Sequence, residues 1–111
     1  MNHQLKTWPE PFNAISDGRK TFEVRSTKDR KFEVGDVLEL YRFDPETQEY
    51  NGECIKANVR YVLDLAPFGI PNVCAMSIEP YRYYGVDSWY PETAEQMEMA
   101  DKQAAYEAQK P

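Results

Sequence analysis

The chain has 111 residues, enough for one domain with one real core and no room for a second. Hydrophobic residues make up 41% and charged residues 29%, an ordinary globular composition that excludes a disordered chain. No apolar run approaches the length of a membrane span, and a net charge of −6 argues against a general nucleic-acid binder.

The opening MNHQLKTWPEP has no apolar stretch behind its basic residue, so no secretory leader is expected there. The segment Trp8 to Gly18 carries helix punctuation at both ends. Pro11 suits a first turn, Phe12 and Ile15 share a face, and Gly18 can take the left-handed terminal position. A short helix packed on a sheet follows from that spacing. Lys20 to Arg25 alternates as a half-buried strand, predicting Phe22 and Val24 in the core with Thr21, Glu23 and Arg25 on the opposite face. Ser26 to Lys31 is a charged loop.

Val34-Gly35-Asp36 reads as a turn into a strand over 37–43. Its polar residues, Glu39 and Arg42, fall on different faces, which implies burial on both sides. Asp44 to Gly52 is a hairpin connection opened by Asp-Pro, with Asn-Gly near its end. Ile55, Ala57, Val59, Tyr61 and Leu63 alternate as one buried face, and a final strand covers 73–78 after the loop 66–71. Beyond it come a tyrosine-rich link and an Ala/Glu/Gln/Met stretch, 91–109, of helix-forming composition. The pattern predicts an α+β domain: a small mixed β-barrel with an early short helix and a C-terminal helix. The barrel is expected over 1–80, with the link and helical extension over 81–111.

Charge is unevenly placed. Residues 1–31 carry seven basic and four acidic side chains, against six and fifteen over 32–111. A basic N-terminal third on an acidic body can focus a positive cleft. Glu23 and Arg25, two apart on one strand face, offer a carboxylate for a base amine and a guanidinium for a phosphate. Lys6 and Lys20 add point charges, Arg30 closes from its loop, and Trp8 is placed to stack on a base. His3, the one histidine, titrates near neutrality and is either a ligand contact or a surface residue. Cys54 and Cys74 fit neither a disulfide framework nor a metal knuckle; reduced core thiols in a cytoplasmic protein are expected, with no metal and no cofactor.

The run His3-x-Leu5-Lys6, then Phe12-x-x-Ile15-x-x-Gly18-Arg19-Lys20-Thr21-Phe22-Glu23-Val24-Arg25, resembles the opening signature of the ASCH domains of the PUA-like superfamily. The likeness continues through Asp29-Arg30, Phe32-x-Val34-Gly35-Asp36, Tyr61-Val62-Leu63, Phe68-Gly69-Ile70 and Met76-Ser77-Ile78, and is nearest to the small DUF3850 branch of bacteria and their phages. It covers about residues 3–79 and leaves the tail outside. The resemblance implies a five- or six-stranded barrel that binds RNA or a modified nucleotide in a cleft beside the first helix, lined by Lys20, Glu23 and Arg25 of the Gly-x-Lys-x-x-Glu-x-Arg run. Together with the charge pattern, the expected ligand contacts are His3, Lys6, Trp8, Lys20, Thr21, Glu23, Arg25 and Arg30. Some relatives are amidohydrolases of N4-acetylcytidine that use a lysine, a threonine and a glutamate. Lys20 matches the lysine, but Glu23 stands at the threonine position and no inserted helix precedes the last strand to supply the glutamate. A hydrolase of acylated cytidine or of RNA, with Lys20 and Glu23 catalytic, is therefore the first alternative. The second is an interaction module that uses the acidic surface and residues 81–111 to hold a protein partner. A monomer without membrane association is expected in each case.

Overall fold

A computed structural model describes residues 1–92. The order of elements is β1 (Asn2–Thr7), α1 (Pro9–Ser16), β2 (Phe22–Ser26), β3 (Val37–Asp44), β4 (Glu49–Asp64) and β5 (Val73–Tyr84), with a 3-10 turn at Ala66–Phe68. The strands form one sheet in the order β1-β3-β4-β5-β2, with β1 parallel to β3 and all other pairs antiparallel. This is a curled half-barrel of five strands and one short helix. The expected C-terminal helix lies outside the described residues. No described helix is long and apolar enough to cross a membrane.

The helix forms where the sequence places it. Trp8 is its extended N-terminal cap, prolines occupy the first turn, and Gly18 at φ +86° lets the chain turn away. Phe12 and Ile15 point inward and join Leu5, Leu38, Leu40, Ile55, Ala57, Val59, Cys74, Met76 and Ile78 in the core. The helix thereby plugs the concave side of the sheet.

Strand β2 is inverted relative to its expected orientation. Phe22 is 50% exposed, whereas Glu23 and Arg25 are completely buried. The register explains the inversion. Glu23 and Arg25 pair with Met76 and Cys74, whose side chains are core, so the polar face of β2 turns into the barrel. That arrangement closes the seam between the edge strands. Arg25 donates from its two terminal nitrogens to the Lys6 carbonyl and to Thr7 Oγ1, both at 3.2 Å, so a side chain joins β2 to β1 where no ladder does. Its Nε donates to Glu23 Oε2 at 2.7 Å.

In β4 the alternation ends early. A bulge between Val59 and Tyr61 sets two residues against Ser77, after which Val62 takes the inward position. Tyr61 and Leu63, expected in the core, are therefore exposed. The hairpin connection is shorter than the expected 44–52, and Asn51-Gly52 lies within β4. The turn spans Asp44 to Glu49, where Asp44 Oδ1 accepts from the backbone N–H of Glu46 at 2.8 Å. Strand β5 runs to Tyr84 and pairs with Cys54 through Asp64, so the boundary expected at residue 80 falls inside it.

Burial of β3 on both faces is as expected, and residues 85–92 supply the second cover. The Asp87 and Trp89 N–H groups donate to the carbonyls of Asn51 and Gly52 at 2.8 Å each, and Glu92 N–H donates to Gln4 Oε1 at 3.1 Å. Gly52 sits at φ +87°, and a Cβ there would collide with the backbone of Asp87 and Ser88. The variant Gly52→Ala should lift this strap, costing about 2 kcal/mol in urea unfolding and speeding amide exchange at Trp89 while leaving the β1–β3 pairing protected.

Candidate functional site

The inward side of β1 and β2 holds an unusual density of polar groups. Glu23 and Arg25 are 0% exposed, Lys20 keeps 12% of its side chain exposed, and His3 and Thr7 are buried on the facing strand. Lys20 Nζ donates to Glu23 Oε1 at 2.6 Å while Arg25 Nε takes the other oxygen. Burial pushes the Glu23 carboxyl up, but the Arg25 and Lys20 charges outweigh it and hold the group below its usual value. A buried carboxylate with both oxygens occupied is not available to a base amine. Arg25 is similarly committed to Glu23, the Lys6 carbonyl and Thr7. These two residues, expected to touch a ligand directly, are instead buried and paired with groups of the fold itself.

Arg30 lies beside them from the loop after β2. It is half-buried, and its Nε is buried with no hydrogen-bond partner among the described residues. Burial and the Arg25 charge pull its guanidinium below the ordinary arginine value, with Asp29 partly opposing. Lys20 and Arg30 are thus the cations of this corner that keep partial exposure.

The remaining candidates divide. Lys6 is buried on the opposite face of β1, with its Nζ 3.7 Å from the Phe43 ring centre, while its carbonyl accepts from Arg25. Thr21 is exposed just before β2, and its carbonyl accepts from Ile78 N–H. Trp8 is half-buried as the helix cap. His3 is buried against the Phe32 ring at 4.6 Å. Its Nε2 lies 2.8 Å from Asp36 Oδ2; an ionised carboxylate only accepts, so the ring donates. Asp36 also accepts from the Glu33 N–H at 2.9 Å and from the Met1 amine at 3.2 Å. In the sequence Asp36 reads only as a turn residue and nothing marks Thr7, the acceptor that fixes Arg25; neither lies within a local motif with its partner.

A second polar cluster occupies the outer face of β1 and β3. Glu39 accepts from Asn2 at 3.2 Å, Gln4 at 3.3 Å and the Tyr41 hydroxyl at 2.8 Å, and Trp89 Nε1 donates to that hydroxyl. These bonds anchor the strap. Both thiols are free, and burial pushes Cys54 up to about 12 and Cys74 up to about 11, which makes them poor nucleophiles at neutral pH. Among the described residues no group of three or more His, Cys, Asp or Glu side chains could hold a metal ion.

The family model for DUF3850, a domain of unknown function, matches residues 2–78. Among solved structures the chain is similar to an ASCH protein from Zymomonas mobilis at 15% identity and a TM-score of 0.52, covering 91% of this chain and 94% of that one. It is also similar to the hypothetical protein PH0355 at 19% identity and a TM-score of 0.48, covering 73% of this chain and all of that one. No curated protein matches the sequence.

Two outcomes follow from the geometry. Replacing Arg25 by Met should cost about 3–5 kcal/mol in urea unfolding, because it opens the seam and removes one of the two cations on a buried carboxylate. His3 is held below its usual 6.5 by burial, against the pull of Asp36. A depressed histidine resists the proton in the folded state, so its contribution is full above pH 6.5 and is lost as pH falls below it. The single imidazole should titrate below 6.5 by NMR, and His3→Gln should flatten the stability profile in that window.

Proposed function

The chain belongs to the DUF3850 family and has an ASCH-type fold, and from that premise we propose that it binds RNA or a phosphate-bearing nucleotide at the rim formed by Lys20 and Arg30. The observation that carries this reading is the Arg30 guanidinium, whose buried Nε has no acceptor among the described residues and which feels the charge of Arg25 beside it. Asp29, exposed on the loop, only partly opposes the pull of Arg25 and burial. Phosphate oxygens match the missing acceptor in charge and geometry, since a guanidinium pairs with phosphate through a planar fork. The Glu23–Arg25 pair acts as a rigid floor that keeps both outward cations in place.

The hydrolytic alternative gains no support from this arrangement. It calls on Lys20 and Glu23 as reacting groups, and the two are joined here in one salt bridge. The interaction-module alternative rests on the acidic surface and on residues 81–111, of which those beyond 92 lie outside the described residues.

Binding of the four nucleoside monophosphates, measured by calorimetry at low salt, should exceed that of the matching nucleosides. Affinity should fall with added salt, and Arg30→Ala and Lys20→Ala should each weaken it about tenfold. Monophosphates and nucleosides binding alike, or an unchanged affinity in Arg30→Ala, would remove the reading.

A further inference from the structure

The outward face of the sheet carries aromatic rings that the fold does not use. Ser77 on β5 pairs with Phe22 of β2 on one side and with Tyr61 of β4 on the other. One step along, Ala75 lies between Val24 and Leu63 in the same way. Two large rings therefore flank a floor of small side chains across three strands. Strands lie about 4.8 Å apart, so the ring-bearing backbones stand about 10 Å from each other, as the walls of a trough. Phe22 is 50% exposed and Tyr61 61%, and neither ring packs on another ring among the described residues. The β4 bulge creates this feature, because it turns Tyr61 outward and sets exposed Arg60 beside it opposite Ser77.

We propose that this trough stacks bases of a single-stranded RNA whose neighbouring phosphate is held at the Lys20–Arg30 rim. The inference rests in part on the reading above and extends it from a nucleotide to an oligonucleotide. Lys20 makes the connection. Its ammonium lies 2.6 Å from Glu23 on the cleft side and 5.3 Å from the centre of the Phe22 ring on the outer side. A chain leaving the cleft over β2 therefore meets Phe22 first and Tyr61 next. Bases stack on exposed aromatic rings of a sheet whatever their identity, and the flanking cations track the backbone. Arg60 makes no ion pair among the described residues and provides that charge on the far wall. Glu79, two residues beyond Ser77 on the same strand face, bounds the trough with a negative charge and directs the phosphates toward Arg60 and Lys20.

The test compares a fluorescein-labelled single-stranded RNA of about 10 nucleotides with uridine monophosphate, using the full chain. Phe22→Ala and Tyr61→Ala should each weaken the oligonucleotide about tenfold, with Tyr61→Phe restoring it and the mononucleotide affinity unchanged. Both positions are half-exposed or more, so the variants should fold, as circular dichroism and thermal melting will report. Oligonucleotide affinity that ignores both alanines, or no oligonucleotide binding by the parent protein, overturns the trough. A parent dimer in sedimentation that Phe22→Ala dissolves also overturns it, since the face would then join two copies of this chain. If the mononucleotide fails to bind while the alanines still weaken the oligonucleotide, the trough stands and the phosphate-rim reading falls.

Discussion

A half-barrel of five strands has two free edges, and here one guanidinium holds them together. Arg25 reaches from β2 to the backbone and hydroxyl of β1 at distances where each bond is ordinary, yet together they replace a missing ladder. A buried arginine is costly without a counter-charge, so Glu23 follows from Arg25, and Lys20 shares the same carboxylate. The group that binds the fold together thus also brings Lys20 to the same buried carboxylate. Such a pair is better at defining one geometry than at adding net stability, because desolvation consumes much of the Coulomb gain.

The sheet has three different surfaces as a result. The concave side is an apolar core with one polar corner. The outer side of β1 and β3 is closed by the returning strap, whose Trp89 reaches Tyr41 and through it Glu39. The outer side of β2, β5 and the distal part of β4 has no such cover among the described residues, and it carries the exposed rings. The same strand, β4, is covered on both faces near Cys54 and Ala57 and on only one near Tyr61. A single bulge and the length of the strap set that contrast.

Much of this was legible in the residues. The helix limits, the β3 strand and its double burial all followed from punctuation and periodicity. The likeness to ASCH domains and to the DUF3850 branch agrees with the family match over 2–78. The orientation of β2 was not legible. Periodicity says that Phe22 and Val24 share a face, but not that the partner strand will turn the charged face inward; hydrophobicity alone then chooses wrongly. Tyr61 and Leu63 failed for a related reason, since a bulge shifts the phase without any Gly or Pro to announce it. Lys6 was assigned to the cleft by charge, although alternation on β1 sends its side chain to the other face from His3, Leu5 and Thr7. The pairing of His3 with Asp36 spans 33 residues and had no local trace.

The two thiols carry a practical consequence of their own. Both are interior and resist ionisation near neutrality, so electrophilic reagents will find little thiolate to attack. A cysteine introduced on the solvent side of β5 could therefore accept a dye or spin label with little competition from the native sulfurs. The parent sequence already serves as its own blank for site-selective conjugation.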